Sequence, residues 1–389
     1  MDFNLTDDQR AIEDAARAFA AAELAPHSAR WDEEKHFPVD VLRKAAELGF
    51  AGLYVGEDVG GSALSRLDAS IVFEQLSYGD VSTAAFISIH NMASWMIDRF
   101  GSDELRRRYL PRLTTMELIA SYCLTEPGSG SDAAAMTTTA RKDGDAYVLN
   151  GSKAFISGAG TSDIYVVMAR TGGPGAKGVS AFVVELGTPG LSFGAQEKKM
   201  GWNSQPTAQV NFDDCRVPEA NRIGQEGEGF RFAMAGLDGG RINIASCSLG
   251  GAGLALDLAR DYLTTRKQFG MTLNRFQALT FRAADMYTSL ELTRSIVSWA
   301  SMVLADRSST PAQVTEAARR AKLQVSTAGR HVGQEAIQLH GGIGMTMEYA
   351  VGHMTARLTA IDHLLGDGRE QTKHLAETLT DHGVVEPLP

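Results

Sequence analysis

The 389-residue chain reads as an α+β protein in three parts: helices, a block of short antiparallel strands, then helices again. Three observations predict this order. Apolar residues recur at helical spacing up to about residue 116. Short runs rich in β-branched and aromatic residues, divided by Gly, Pro and Asp turns, follow to about residue 225. Helical periodicity then returns and persists to the end, as in a helical bundle. We place domains at 1–116, 117–225 and 226–389, each of ordinary size.

The elements follow in order. Thr6 and Gln9 form a capping-box pattern with Asp7 and Asp8 in the first turn, opening a helix that keeps its period to Pro26. Pro38 opens "PVDVLRKAAELGF", which stops at Gly49. Further helices are expected over 67–77, 83–100 and 103–113. In the middle block, "LIASYCL", "AAAMTTTARKDG", "DAYVLNGSKAFIS", "DIYVVMART", "VSAFVVEL" and "TAQVNFDDCRV" read as strands, and Lys142-Asp143-Gly144-Asp145 as a hairpin turn. A small sandwich or barrel fits this spacing. Beyond Glu226, Phe276, Leu279, Ala283, Met286, Tyr287, Leu290, Val297, Ala300 and Leu304 make one apolar stripe. "LGGAGLALDLA" lies inside a helical pattern and follows no strand, so it reads as close helix packing, not a dinucleotide fingerprint.

Composition narrows the function. With 44% hydrophobic and 22% charged residues, a soluble globular protein is expected. The net charge of -10 argues against nucleic acid as a partner. Cys123, Cys215 and Cys247 are far apart and odd in number. They offer no disulfide framework and no metal spacing, which fits a reducing, cytoplasmic setting. The acidic start "MDFNLTDDQR" lacks the apolar core of a signal peptide, and no apolar run reaches the length of a membrane span.

"YCLTEPGSGSD" (Tyr122 to Asp132) puts hydroxyls and bare backbone along a loop after an apolar run, where a ligand can approach closely. Farther on stand "GSKAFISGAG", "GLDGGRINIASCSLG", "TRKQFG", "FQAL" and "QLHGGIG". In this order and spacing, over nearly the whole chain, the sequence resembles the acyl-CoA dehydrogenase family. Within it, residues 1 to about 260, through "FISIHNM", "LNGSKAFISGAG" and "GGRINIASCSLG", are similar to the branch that acts on isobutyryl-CoA. The resemblance implies a helical domain, a β domain and a four-helix bundle, assembled as a tetramer around FAD. It implies that Cys123, Leu124 and Thr125 line the flavin ring, with Phe155, Ile156 and Ser157 beside its N5. Ser131, Asp238 and Arg241 would hold the CoA arm. Arg266, Phe269, Gln277, Gln338, Gly341 and Gly342 would meet the FAD of an adjacent subunit. Single residues also allow plainer readings. Asp238 and Arg241 can be an i, i+3 pair, Phe155 and Phe269 core, Cys123 inert packing, and His340 a packed bundle histidine.

The implied chemistry is α,β-desaturation of an acyl-CoA, with a carboxylate as base, hydride transfer to flavin N5 and an electron-transferring flavoprotein as acceptor. Here the sequence departs from the family. The position that usually carries the glutamate base falls on Leu365, and the alternative position at the start of the bundle is Gly240. The nearest acids are Asp362 and Asp367. A helical segment would put Asp362 near the face of Leu365, either as a weak substitute base or as the partner of a cation. The last hundred or so residues are more similar to subunits of heteromeric bacterial acyl-CoA dehydrogenases. Two readings result: a short, branched-chain dehydrogenase with isobutyryl-CoA as leading substrate, or a weakly active FAD- and CoA-binding subunit of a hetero-oligomer.

Overall fold

The computed structural model describes residues 3–379. Six helices come first: α1 (Asp7–Phe19), α2 (Ser28–Glu34), α3 (Val39–Glu47), α4 (Arg66–Gly79), α5 (Val81–Phe100) and α6 (Asp103–Leu113). The box at α1 closes as expected, with the Gln9 N–H donating to Thr6 Oγ1 at 3.2 Å and the Thr6 N–H to Gln9 Oε1 at 3.1 Å. Helix α2 was not anticipated. It is short and packs through Trp31, which is buried.

Strands β1 (Ala120–Cys123), β2 (Thr139–Asp143), β3 (Ala146–Ser157), β4 (Ile164–Arg170), β5 (Val179–Glu185), β6 (Leu191–Phe193), β7 (Thr207–Pro218) and β8 (Arg222–Ile223) form one eight-stranded sheet. Gly144 turns β2 into β3 at φ 63°, which glycine adopts without penalty. Pairing is mainly antiparallel, but β1 runs parallel to β4 from Ala120↔Ile164 to Cys123↔Val167. The sheet is therefore mixed, not purely antiparallel as expected.

Helix α7 (Gly229–Thr265) spans 37 residues and is followed by the small hairpin of β9 (Lys267–Gln268) and β10 (Met271–Thr272). Helices α8 (Gln277–Ala305), α9 (Pro311–His340) and α10 (Ala350–His363) complete a bundle, and α11 (Gly368–Glu377) lies on α9. By length and composition α7 qualifies as a membrane span, contrary to expectation, yet 78% of its apolar window is buried inside the protein. The "LGGAGLALDLA" segment explains this burial. A Cβ on Gly250 would stand 2.0 Å from the Glu74 carbonyl oxygen, and one on Gly253 2.2 Å from Tyr78 Oη. Glycine is what lets α7 touch α4. In α8, Met286, Leu290, Val297 and Ala300 are buried as the stripe predicted, but Tyr287 is 59% exposed.

One buried charge cluster joins all three parts. Arg357 of α10 is 1% exposed and sets Nη2 3.3 Å from Asp80 Oδ1 and 3.8 Å from Asp32 Oδ1. Asp80 caps α5 through the Thr83 N–H at 2.9 Å, and Asp32 accepts the Asn203 N–H from the β domain at 2.9 Å.

Candidate active site

A cavity of about 560 Å³ lies where α5, the β domain, the start of α7 and the segment His363–Glu370 converge. From α5 come Ala85, Ser88, Ile89 and Met92, a spacing that puts all four on one helical face. Neighbouring residues of the same motif hold the scaffold instead. Asn91 donates to the Phe50 and Ile87 carbonyls at 2.8 and 2.9 Å and accepts the Leu53 N–H at 2.8 Å. His90 donates from Nε2 to the Leu113 carbonyl at 2.9 Å and accepts the Ala120 N–H at Nδ1 at 3.0 Å. This arrangement requires a neutral ring.

The Thr125–Asp132 loop is anchored by a residue that motif reading passed over. Glu126 is buried and accepts from the Thr137 and Thr138 N–H groups at 2.6 and 2.9 Å and from Lys153 Nζ at 2.8 Å. Burial pushes this carboxyl up, but the Lys153 ammonium and the N–H donors outweigh it and hold the group down, at about 2. Lys153 also donates to the Leu124 carbonyl at 2.9 Å. The pair ties the start of the loop to β3 and to the Thr137–Thr138 segment.

Leu124, Thr125, Ser131, Phe155, Ile156 and Ser157 all line the cavity. Phe155 holds φ 58° and leaves its ring 66% exposed, an arrangement that costs about 1–2 kcal/mol for a residue with a Cβ. Trp202, at φ 61°, stands in the same wall, and Gln205 Nε2 donates to Ser157 Oγ at 2.7 Å. Trp202 Nε1 and the Tyr122 hydroxyl are buried with no hydrogen-bond partner among the described residues. Buried polar atoms are rarely left so, and a polar, planar ligand such as a flavin ring would supply what these two lack. The residues therefore fit FAD. Cys123 is a correction: its thiol packs in the β-domain core on the other face of β1, and burial pushes it well above its usual range.

Arg241 lines the cavity and is braced on two sides. Its Nη1 meets Asp238 Oδ1 at 2.7 Å and its Nε donates to the Leu365 carbonyl at 3.1 Å. Asp238 is absent from the lining. Its second oxygen accepts from Thr315 Oγ1 at 2.6 Å, so it acts on the cavity only through Arg241, as an i, i+3 partner.

Arg266, Phe269, Gln277, Gln338, Gly341 and Gly342 lie elsewhere, exposed at the far end of the bundle. Stacking of Tyr262 on His340, with ring centroids 4.7 Å apart, brings the ends of α7 and α9 together there. Phe269 is 88% exposed. His340 is the packed histidine anticipated, with Nδ1 on the Ala336 carbonyl at 2.7 Å.

Leu365 lines the cavity, but Asp362 does not. The Asp362 carboxylate faces Arg330, and Lys322 Nζ donates to its backbone carbonyl at 3.0 Å. Although burial pushes this carboxyl up, Arg330 and Ser326 hold it low. A paired, low-pKa carboxylate turned from the cavity is no general base, which corrects the substitute considered from sequence. Glu370, which the sequence reading passed over, does line the cavity. Its position depends on how α11 turns after Gly366, and no local pattern carries that.

The chain matches the acyl-CoA dehydrogenase N-terminal domain over residues 6–117, the middle domain over 121–215 and the C-terminal domain over 227–380. It belongs to the acyl-CoA dehydrogenase family and is an FAD-dependent enzyme of that class. It is 56% identical over 347 residues to the mitochondrial isobutyryl-CoA dehydrogenase of Bos taurus, covering 89% of this chain and 83% of that one. Butyryl-CoA dehydrogenase of Megasphaera elsdenii superposes with a TM-score of 0.93 at 35% identity, over 98% of this chain and 100% of that one. PigA with FAD and proline gives 0.92 at 32% identity, over 98% and 100%. The C-terminal match includes the tail that suggested a partner subunit, and the hetero-oligomeric reading gains no support.

Proposed function

We propose that this protein desaturates isobutyryl-CoA at its α,β bond. FAD, when bound, supplies the acceptor for the hydride that leaves Cβ. Thr125 and Ser157 would hold its ring, with Phe155 and Trp202 beside it, and Arg241 and Ser131 would orient the CoA arm. Apolar side chains from Ile89, Met92, Met234, Leu237 and Leu365 keep water from the acyl group. The observation that carries the reading is the convergence in one cavity of the Ser157 loop, Arg241 and the isobutyryl-type α5 face. The 56% identity to the bovine enzyme supports the acyl group named.

The exposed cluster from Arg266 to Gly342 supports FAD contact across an interface between copies of this chain. An electron-transferring flavoprotein is the acceptor consistent with the family. Three free, buried cysteines support a reducing compartment. Anaerobic titration of the FAD-loaded protein with isobutyryl-CoA tests the reading: bleaching of the flavin band is expected, and an unchanged spectrum refutes it.

A further inference from the structure

The desaturation proposed above needs an acceptor for the α-proton, and neither Leu365 nor Gly240 can be one. We propose that Glu370 is the general base; this rests on the acyl-CoA reading of the cavity. Among the described residues, two carboxylates line that cavity, Asp132 and Glu370. Asp132 follows Ser131 on the loop assigned to the CoA arm. Glu370 lines it beside Leu365 and Gly366.

Its placement is built, not incidental. Asp367 caps α11 by accepting the Glu370 N–H at 2.9 Å, which fixes Glu370 in the first turn after the cavity-lining segment. Glu370 Oε2 lies 3.2 Å from where a Cβ on Gly366 would stand. Any larger residue at 366 would crowd the carboxylate, and φ 90° there disfavours one in any case. The segment itself is pinned, because the Leu365 carbonyl accepts from both Arg241 Nε and Gln371 Nε2, at 3.1 and 3.2 Å. The Glu370 side chain is 43% exposed, with His374 Nε2 3.9 Å away, so no tight ion pair locks it as Arg330 locks Asp362.

In the step assigned to it, the α C–H bond breaks and an O–H bond forms on Glu370. The released electron pair becomes the Cα–Cβ π bond as the β-hydrogen leaves with its own pair, for which bound FAD would supply the two-electron acceptor.

The test uses FAD-loaded protein and two readouts: deuterium exchange at Cα of isobutyryl-CoA in D₂O, followed by NMR, and anaerobic flavin bleaching. Glu370→Gln is expected to slow both by about 10²–10⁴-fold. Thermal midpoint and calorimetric affinity for isobutyryl-CoA should stay at wild-type values. Adding Leu365→Glu to Glu370→Gln should restore both rates. Wild-type exchange and bleaching in Glu370→Gln overturn the proposal, as does a loss that Leu365→Glu leaves unrepaired. A wild-type protein active on butyryl-CoA but inert to isobutyryl-CoA overturns the substrate reading alone, and the Glu370→Gln comparison is then read on butyryl-CoA. Inertness to both overturns the two together.

Discussion

A Cβ built on Gly240 would stand 3.7 Å from Leu365 Cδ1. The two positions at which the resemblance would place a glutamate thus meet in the wall of one cavity, and neither is an acid. Leu365→Glu is expected to raise the rate of flavin bleaching by isobutyryl-CoA above wild type. Gly240→Glu should do the same, since a Cβ there meets only Met92 Sδ at 3.4 Å and Leu365 at 3.7 Å. Stopped-flow reduction checks both, and a slower rate in each variant would speak against acyl binding at this wall.

Acyl size should be read by the α5 face. Isobutyryl-CoA is expected to reduce the flavin faster than any long-chain acyl-CoA. Neighbours one carbon apart should differ modestly, since a methylene is worth roughly 1–3 kcal/mol. Preference for a long chain in a kcat/KM series would refute this.

Arg266→Ala should weaken FAD retention by about 2 kcal/mol, because a charge-assisted partner for diphosphate is lost. Retention can be measured by flavin release on dilution. Retention unchanged from wild type would remove the cross-subunit contact from the scheme.

Stability should fall with acid in two windows. Burial pushes His90 down to about 4, so between about pH 6.5 and pH 4 the unfolded chain takes up a proton that the folded one refuses. The unfolding midpoint should drop as pH falls through that range. His90→Gln should lower stability by roughly 1–3 kcal/mol yet flatten the slope. Glu126, held low, contributes stability above its usual 4.5 that is lost as pH falls toward about 2. Glu126→Gln should make that second decline shallower, the remainder coming from other carboxylates held low, such as Asp362. Thermal melts across pH 2–8 measure both.

Gly250→Ala should destabilise by about 1–3 kcal/mol or more, since the methyl would enter the Glu74 carbonyl and α7 would have to lift from α4. Calorimetry would report the loss as a lower midpoint.

What was legible in the sequence was what is decided locally. The Thr6–Gln9 box, the Gly144 turn and the glycines of α7 each carry their own geometry within a few residues. The parallel pairing of β1 with β4 was not legible, because a strand's period says which face is buried and nothing about its neighbour's direction. Cys123 was misplaced by reading a motif as a block. In a strand, successive side chains alternate, so Tyr122 and Leu124 reach the cavity while Cys123 faces the core. Tyr287 fitted an apolar period, but the α8 stripe is wider than the face the bundle covers. Asp362 is near in sequence to the wanted base but turns to Arg330 in space, whereas Glu370 lies beyond the break between α10 and α11, which periodicity cannot cross.

The Arg357 cluster bears on whether the parts of such a chain are interchangeable. A C-terminal third borrowed from another relative would arrive facing Asp32 and Asp80, two acids already committed to Asn203 and to the α5 cap. Without an arginine at the matching point of its tenth helix, the borrowed part would leave those acids buried with no cation. Such an orphaned charge typically costs about 3–5 kcal/mol. A hybrid chain must therefore bring its own arginine to this point, and the contact weighs on its stability before any substrate is met.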